Sequence, residues 1–325
     1  MSKINATDIA KNVDFFEKSW YTEDDVNKKV RKGFVMINKQ QELPMRKNRV
    51  VGGTYDEERA FYNLRDTEVA KATFAGPADG ESAFKEARDI TVRDCRFSLR
   101  YPFWHARRFA VVDCTLDNLT RAPIWYAEDG LLAQTKIEGV KCLRECRGIA
   151  LEGCTVVSPE FGWRCWDLDI RHCDITSEYF LFECRDSAID GLTLHGKYSF
   201  QYTENVTVEN SELDTKDAFW HAKNVTVRNC TVKGEYLGWY SEGLTLENCH
   251  IAGTQPLCYC KDLKLINCTM EGTDLSFEYS DVEADISGHI LSVKNPHAGY
   301  ITADGIGEII HEDSVMENTC QITVR

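Results

Sequence analysis

Residues 225–232 read VTVRNCTV, and residues 90–97 read ITVRDCRF. Each phrase places an apolar residue at every second position, threonine between them, and a cysteine after a short polar turn. Taking that cysteine as an anchor, the chain repeats it at Cys154, Cys173, Leu192, Ser211, Cys230, Cys249 and Cys268, in steps of 19 residues. Upstream the anchors are Cys95, Cys114 and Thr135; the one step of 21 residues absorbs two extra residues in the LTRAP segment, 119–123. A fixed period of this size is a solenoid signature.

The columns around the anchor give the strand pattern. Three before it stand Val92, Val111, Leu132, Leu151, Ile170, Ile189, Val208, Val227, Leu246 and Leu265. Two after it stand Phe97, Leu116, Ile137, Val156, Ile175, Leu194, Leu213, Val232, Ile251 and Met270. Apolar residues alternating with polar ones mark half-buried strands, and the recurring Thr suits a pleated surface. Stacking such strands coil on coil, about 4.8 Å apart, predicts an all-β fold: a right-handed, single-stranded parallel β-helix with coils of about 19 residues. The L-x-x-L-x-L phrase of a leucine-rich repeat is missing. The pattern loosens after Cys268, where VEADISGHI, SVKNP and GEII read as strands capping the C-terminal end.

The expected organisation is a divergent N-terminal extension, 1–50, followed by a β-helix domain, 51–325. In the extension Ile9, Val13, Phe16 and Trp20 recur at helical spacing, with Thr7 or Asp8 as a cap. That segment would serve as a cap or lid. The chain has 325 residues, 43% hydrophobic and 28% charged, with a net charge of −14. The negative balance disfavours a nucleic-acid partner, whose binding relies on Lys and Arg. No apolar run is long enough to span a bilayer. The first residues lack the apolar core of a signal peptide. Together these point to a cytoplasmic protein with no membrane partner.

Of fourteen cysteines, seven stand in the anchor column and four more, Cys146, Cys165, Cys184 and Cys260, stand eight before an anchor. The second column otherwise holds Ala, Thr and Ser, so these are small buried residues rather than disulfides or metal ligands. The Cys258–Cys260 pair lacks the CxxC spacing of a structural zinc site, and no metal or cofactor is expected.

Longer phrases carry a family resemblance. GPADGESAFKEARDITVRDCRF, LRYPFWHA, RAPIWYAEDG, SPEFGWRC, GKYSFQYTENVTVENS, TKDAFWHAKNVTV, GEYLGWYSEGL, QPLCYCKDL, LSFEYSDV and SVKNPHAGYITADGIGEII together resemble the bacterial domain-of-unknown-function family 3737, over residues 57–313. The resemblance implies a pectin-lyase-like β-helix and transfers no catalytic residue. Polygalacturonase-like phrases are absent, the nearest being Gly288-His289-Ile290.

One stretch of each coil differs from the rest. FWHA occurs at 103–106 and again at 219–222. Eleven before the anchor the column holds Phe84, Phe103, Ile124, Leu143, Leu181, Phe200, Phe219 and Leu257. Ten before it holds Trp104, Trp125, Trp163, Trp220 and Trp239, and nine before it His105, Tyr126, Glu145, Arg164, Glu183, Tyr202, His221, Tyr240 and Tyr259. Burying a file of charges is costly, so strict alternation turns the nine-before column outward. It then turns the Trp column inward and leaves the Phe/Leu file exposed. An exposed apolar file implies a cover, a partner or a ligand. A lid or homo-oligomer through the Phe103, Leu143, Leu181 and Phe219 strip is one reading, an oligosaccharide cleft a second, and a local break of alternation a third.

The candidate catalytic pair is Glu145 and Glu183, two coils apart and so about 9.6 Å from one another. That is near the upper end of the range of about 6.5–9.5 Å for an inverting glycoside hydrolase. Arg121, Tyr126, Arg144, Arg164, Tyr202, His221 and Tyr240 are the candidate substrate-binding residues. Against catalysis, Glu145-Arg164-Glu183 in one column also reads as a cross-strand ion-pair ladder. His105 and His221 lie six coils apart and cannot act together. The leading expectation is carbohydrate binding or modification on this face; the alternative is a non-enzymatic scaffold.

Overall fold

The computed structural model describes residues 43–76 and 81–325; the expected helix around Ile9, Val13, Phe16 and Trp20 lies outside them. Among the described residues every regular element is a strand, and every strand pairing is parallel. The chain winds into a parallel β-solenoid of about 14 turns. Among the described residues its first strand is Asn48–Val51, whose residues pair with Thr67, Glu68, Val69 and Ala70 on the next coil.

The register follows the anchor columns. Val208 pairs with Val227 and Val227 with Leu246 on one face; Leu213 pairs with Val232 and Val232 with Ile251 on another. The 21-residue step is absorbed in the turn after Leu116. There Asp117 accepts the Leu119 N–H at 3.0 Å and Leu119 stands exposed. Phe109 then pairs with Gly130, back in register.

The corners explain the geometry. The residue before the anchor is left-handed in coil after coil, with φ of 52° at Asn210, 53° at Asn229 and 53° at Asn248. Asn tolerates that region better than other side chains, and its amide then reaches the next coil. Asn229 Nδ2 donates to Asn210 Oδ1 at 3.3 Å and Asn248 Nδ2 to Asn229 Oδ1 at 3.2 Å. The stacked amides form an Asn ladder from coil to coil.

All fourteen cysteines are free, and thirteen are buried. They stack along the axis, Cys146 N–H donating to Cys165 Sγ at 3.4 Å and Cys165 N–H to Cys184 Sγ at 3.4 Å. Burial pushes the Cys142, Cys146 and Cys165 thiols well above the usual range.

The exposed apolar strip does not exist. Phe103, Ile124, Leu143, Leu181, Phe200, Phe219 and Leu257 are between 0 and 2% exposed and fill the core. Phe84 stacks on Phe103 at 5.4 Å and Phe200 on Phe219 at 4.9 Å. Strict alternation fails because the nine-before residue is left-handed throughout, with φ of 54° at His105, 50° at Glu145 and 61° at Tyr259. That turn lets the Phe and Ala/Cys columns both point inward, with the nine-before residue outward between them. The Trp column is not inside either. It lies half-buried along the surface, Trp104 stacked on Trp125 at 5.5 Å and Trp220 on Trp239 at 5.4 Å. Indole N–H groups there donate to main-chain carbonyls of the next coil, Trp104 to Ala122 at 3.0 Å and Trp220 to Tyr236 at 2.7 Å. A homo-oligomer through the Phe103, Leu143, Leu181 and Phe219 strip has lost its surface.

Candidate functional site

The nine-before column forms a file of outward side chains along the solenoid. His105 and Tyr126 stack at 5.1 Å; Tyr202, His221, Tyr240 and Tyr259 stack in succession at 4.9, 5.1 and 4.7 Å. The rings lie nearly parallel, 9–15° apart, so each covers the face of its neighbour. Within the stack only edges and hydroxyls are free. Tyr259 also donates to Glu278 Oε2 at 3.3 Å, and burial pushes its hydroxyl up to about 12.

The stack is interrupted by Glu145, Arg164 and Glu183. Tyr126 and Tyr202 border the interruption, and each has a ring neighbour in the file on one side, His105 and His221. On its other side the file continues with a carboxylate, and Phe182 meets Tyr202 edge-on, 67° between the rings. On that side each of these tyrosines is flanked in the file by a carboxylate rather than by a ring, as His105 is by Glu86.

Arg164 Nη2 donates to Glu145 Oε1 at 3.0 Å. A complete ion-pair ladder exists elsewhere on the molecule for comparison. Arg228 reaches Glu209 at 3.1 Å and Glu247 at 2.9 Å, one coil to either side. Arg164 engages only the carboxylate before it. Glu183 is exposed, and no ion pair reaches it among the described residues.

At this break lies an open trough of about 300 Å³. One wall is Arg164, Glu183 and Tyr202; the other is Trp166, Arg185 and Glu204, two residues further along each coil. The floor is the backbone of Cys165 and Cys184, whose side chains point into the core. Small inward residues between two outward columns are what leave the trough open. The Arg185 guanidinium lies over the Trp166 ring, 5.7 Å from its centroid. Each wall thus carries one aromatic residue and one carboxylate.

Of the residues singled out in the sequence, the structure brings Arg164, Glu183 and Tyr202 together, with Glu145 tied to Arg164 beside them. Arg144 is held between two indoles, 5.0 Å from the Trp125 ring and 5.4 Å from that of Trp163. His221 and Tyr240 belong to the stacked file. Arg121 is exposed and, like Arg144, His221 and Tyr240, does not line the trough. Trp166, Arg185 and Glu204 escaped the sequence reading. The signal available was the phrase WRCW at 163–166, which sets an aromatic where most coils carry a charge, as at Arg147, Arg185, Glu204 and Lys223.

No curated protein matches the chain. Among solved structures it resembles bacteriophage CBA120 tailspike protein 3, at 9% identity and TM-score 0.33, over 86% of this chain. It spans about half, 51%, of that tailspike. It also resembles the A-module of an Azotobacter vinelandii mannuronan C-5 epimerase, at 12% identity and TM-score 0.35, over 86% of this chain and 88% of the other. A third resemblance is to a PL6 alginate lyase in complex with a trisaccharide, at 9% identity and TM-score 0.38, over 92% and 88%. At these scores the likeness carries nothing about a site. The sequence itself is decisive for kinship: residues 48–323 match the model described as Protein of unknown function (DUF3737), and the chain belongs to that family.

Proposed function

We propose that the chain binds an extended oligosaccharide in the trough between the Arg164, Glu183, Tyr202 wall and the Trp166, Arg185, Glu204 wall. One observation carries this reading. The trough spans three successive coils, from Arg164 to Tyr202, and sets an aromatic ring and a carboxylate in each wall. A sugar chain needs both, an apolar face to stack on and acceptors for its hydroxyls. Tyr202 supplies the face because the ring file ends there, and Glu183 supplies acceptors because Arg164 is turned to Glu145.

Binding fits this geometry better than cleavage by two carboxylates. Glu145 is already ion-paired, and a two-carboxylate mechanism would first have to free it from Arg164. The test is an oligosaccharide array probed with the full chain, with Tyr202→Ala and Glu183→Gln beside it, while released products are measured. A hit weakened about tenfold or more by either substitution, as loss of a stacking or charged contact predicts, supports the reading. No hit on any oligosaccharide, or hits indifferent to both substitutions, refutes it. Product release abolished by Glu145→Gln would replace binding by hydrolysis.

A further inference from the structure

Given that the trough is an oligosaccharide site, we infer that its ligand carries protonated amino groups, as an amino-sugar oligomer does, and not uronate carboxylates. The charges of the trough are arranged unevenly along the axis. Both of its arginines are engaged with groups of the preceding coil: Arg164 pairs with Glu145 at 3.0 Å, and Arg185 lies 5.7 Å over the ring of Trp166. Tyr202, on the last of the three coils, has a carboxylate on either hand, Glu183 one coil before it in its own wall and Glu204 on its own coil in the other. Both are exposed, and neither has an ion pair among the described residues.

An ammonium group is matched by this end of the trough in two ways. It donates charge-assisted hydrogen bonds to the carboxylates and gains a cation–π contact from the Tyr202 ring. A uronate would meet like charge there. The cations nearest to it are Arg164, already paired with Glu145, Arg185, lying over the Trp166 ring, and Lys223, the register neighbour of Glu204 on the next coil. The net charge of −14 adds long-range repulsion for a polyanion and attraction for a polycation.

The experiment is calorimetric titration of the full chain with three oligosaccharides of equal length. One is a β-1,4-linked glucosamine oligomer, one its N-acetylated counterpart, and one an oligo-uronate. The pH is set below neutral, where sugar amines are protonated, yet above the ordinary Glu value of about 4.3. The amine oligomer is expected to bind about tenfold or more tightly than the N-acetylated one. Glu183→Gln and Glu204→Gln should each remove most of that advantage. Glu212→Gln, exposed on the strand Glu212–Thr215, should leave it intact and so controls for bulk charge. Equal binding of all three, or preference for the uronate, overturns the inference while the trough remains an oligosaccharide site. An amine advantage that survives both trough substitutions also overturns it, as bulk attraction. Failure of all three sugars to bind removes the site itself.

Discussion

Gly130 faces the ring of Phe109 across one coil, and a Cβ at Gly130 would lie 2.4 Å from Phe109 Cζ. The two are register partners, flanked in their column by Ile90 on one side and Ile149 on the other. The large ring on one coil takes the space the next leaves empty. Gly130→Ala is therefore expected to cost about 1–3 kcal/mol by overpacking. Phe109→Leu in the same chain should recover much of that. A double-mutant cycle by denaturant unfolding reads the coupling, and additive effects would contradict the contact.

Phe103 and Phe219 are core residues. Phe219→Ala should destabilise by about 3–5 kcal/mol, the usual cost of emptying a buried aromatic site. Phe103→Asp should prevent folding rather than split an oligomer. Circular dichroism and sedimentation of the variants check this. A folded Phe103→Asp with altered mass would restore the exposed-strip reading.

Asp217 is 7% exposed, and burial raises its carboxyl above the ordinary 3.8. In the window between the ordinary and the raised value the native state holds the proton and the unfolded chain does not. Stability therefore falls as pH rises through that window. Asp217→Asn removes the cost of a buried charge, and Asn suits the left-handed backbone there, φ 53°. The variant should melt higher than wild type at neutral pH. The gap should close as pH drops below the ordinary Asp value. A gap that widens in acid would reverse the sign of the argument.

Thiol accessibility separates Cys320 from the rest. It alone is partly exposed, with burial pushing it up to about 11. A thiol reagent should modify only Cys320 in the native protein, faster in alkali, and all fourteen cysteines after unfolding. Mass spectrometry counts them. Early modification of the stacked Cys146, Cys165 and Cys184 would show that the solenoid opens there.

Asn229 combines a left-handed backbone with amide bonds to both neighbouring coils. Asn229→Gly keeps the backbone and loses the bonds; Asn229→Ala loses both. Alanine should be the more destabilising by about 1 kcal/mol. Equal melting temperatures would place the whole effect in the amide.

The period of the anchor column made the coil, its register and the Cys and Asn files legible in the sequence, because each repeats one residue type at one spacing. The corner at the nine-before column was not legible. Left-handed turns announce themselves through Gly or Asn, and this one is built from His105, Tyr126, Glu145, Arg164 and Tyr202, which carry no turn signal. Alternation was therefore carried through a residue where the chain turns, and Phe103 came out on the wrong side. The same error hid the trough. Its second wall, Trp166, Arg185 and Glu204, opens the strands Trp166–Arg171, Arg185–Asp190 and Glu204–Glu209 and reads as ordinary strand surface.

The position of the trough along the stack has a kinetic meaning. The strand Arg185–Asp190, which carries the middle of one wall, has seven paired rungs before it and seven after it among the described residues. A stack in which each coil touches only its neighbours frays from its open ends. Fraying must undo seven rungs from either side before it reaches this strand, so its amide protons should be among the slowest in the chain to exchange with solvent. The candidate site thus sits where the molecule holds its shape longest, and a ligand there would meet walls that are already in place.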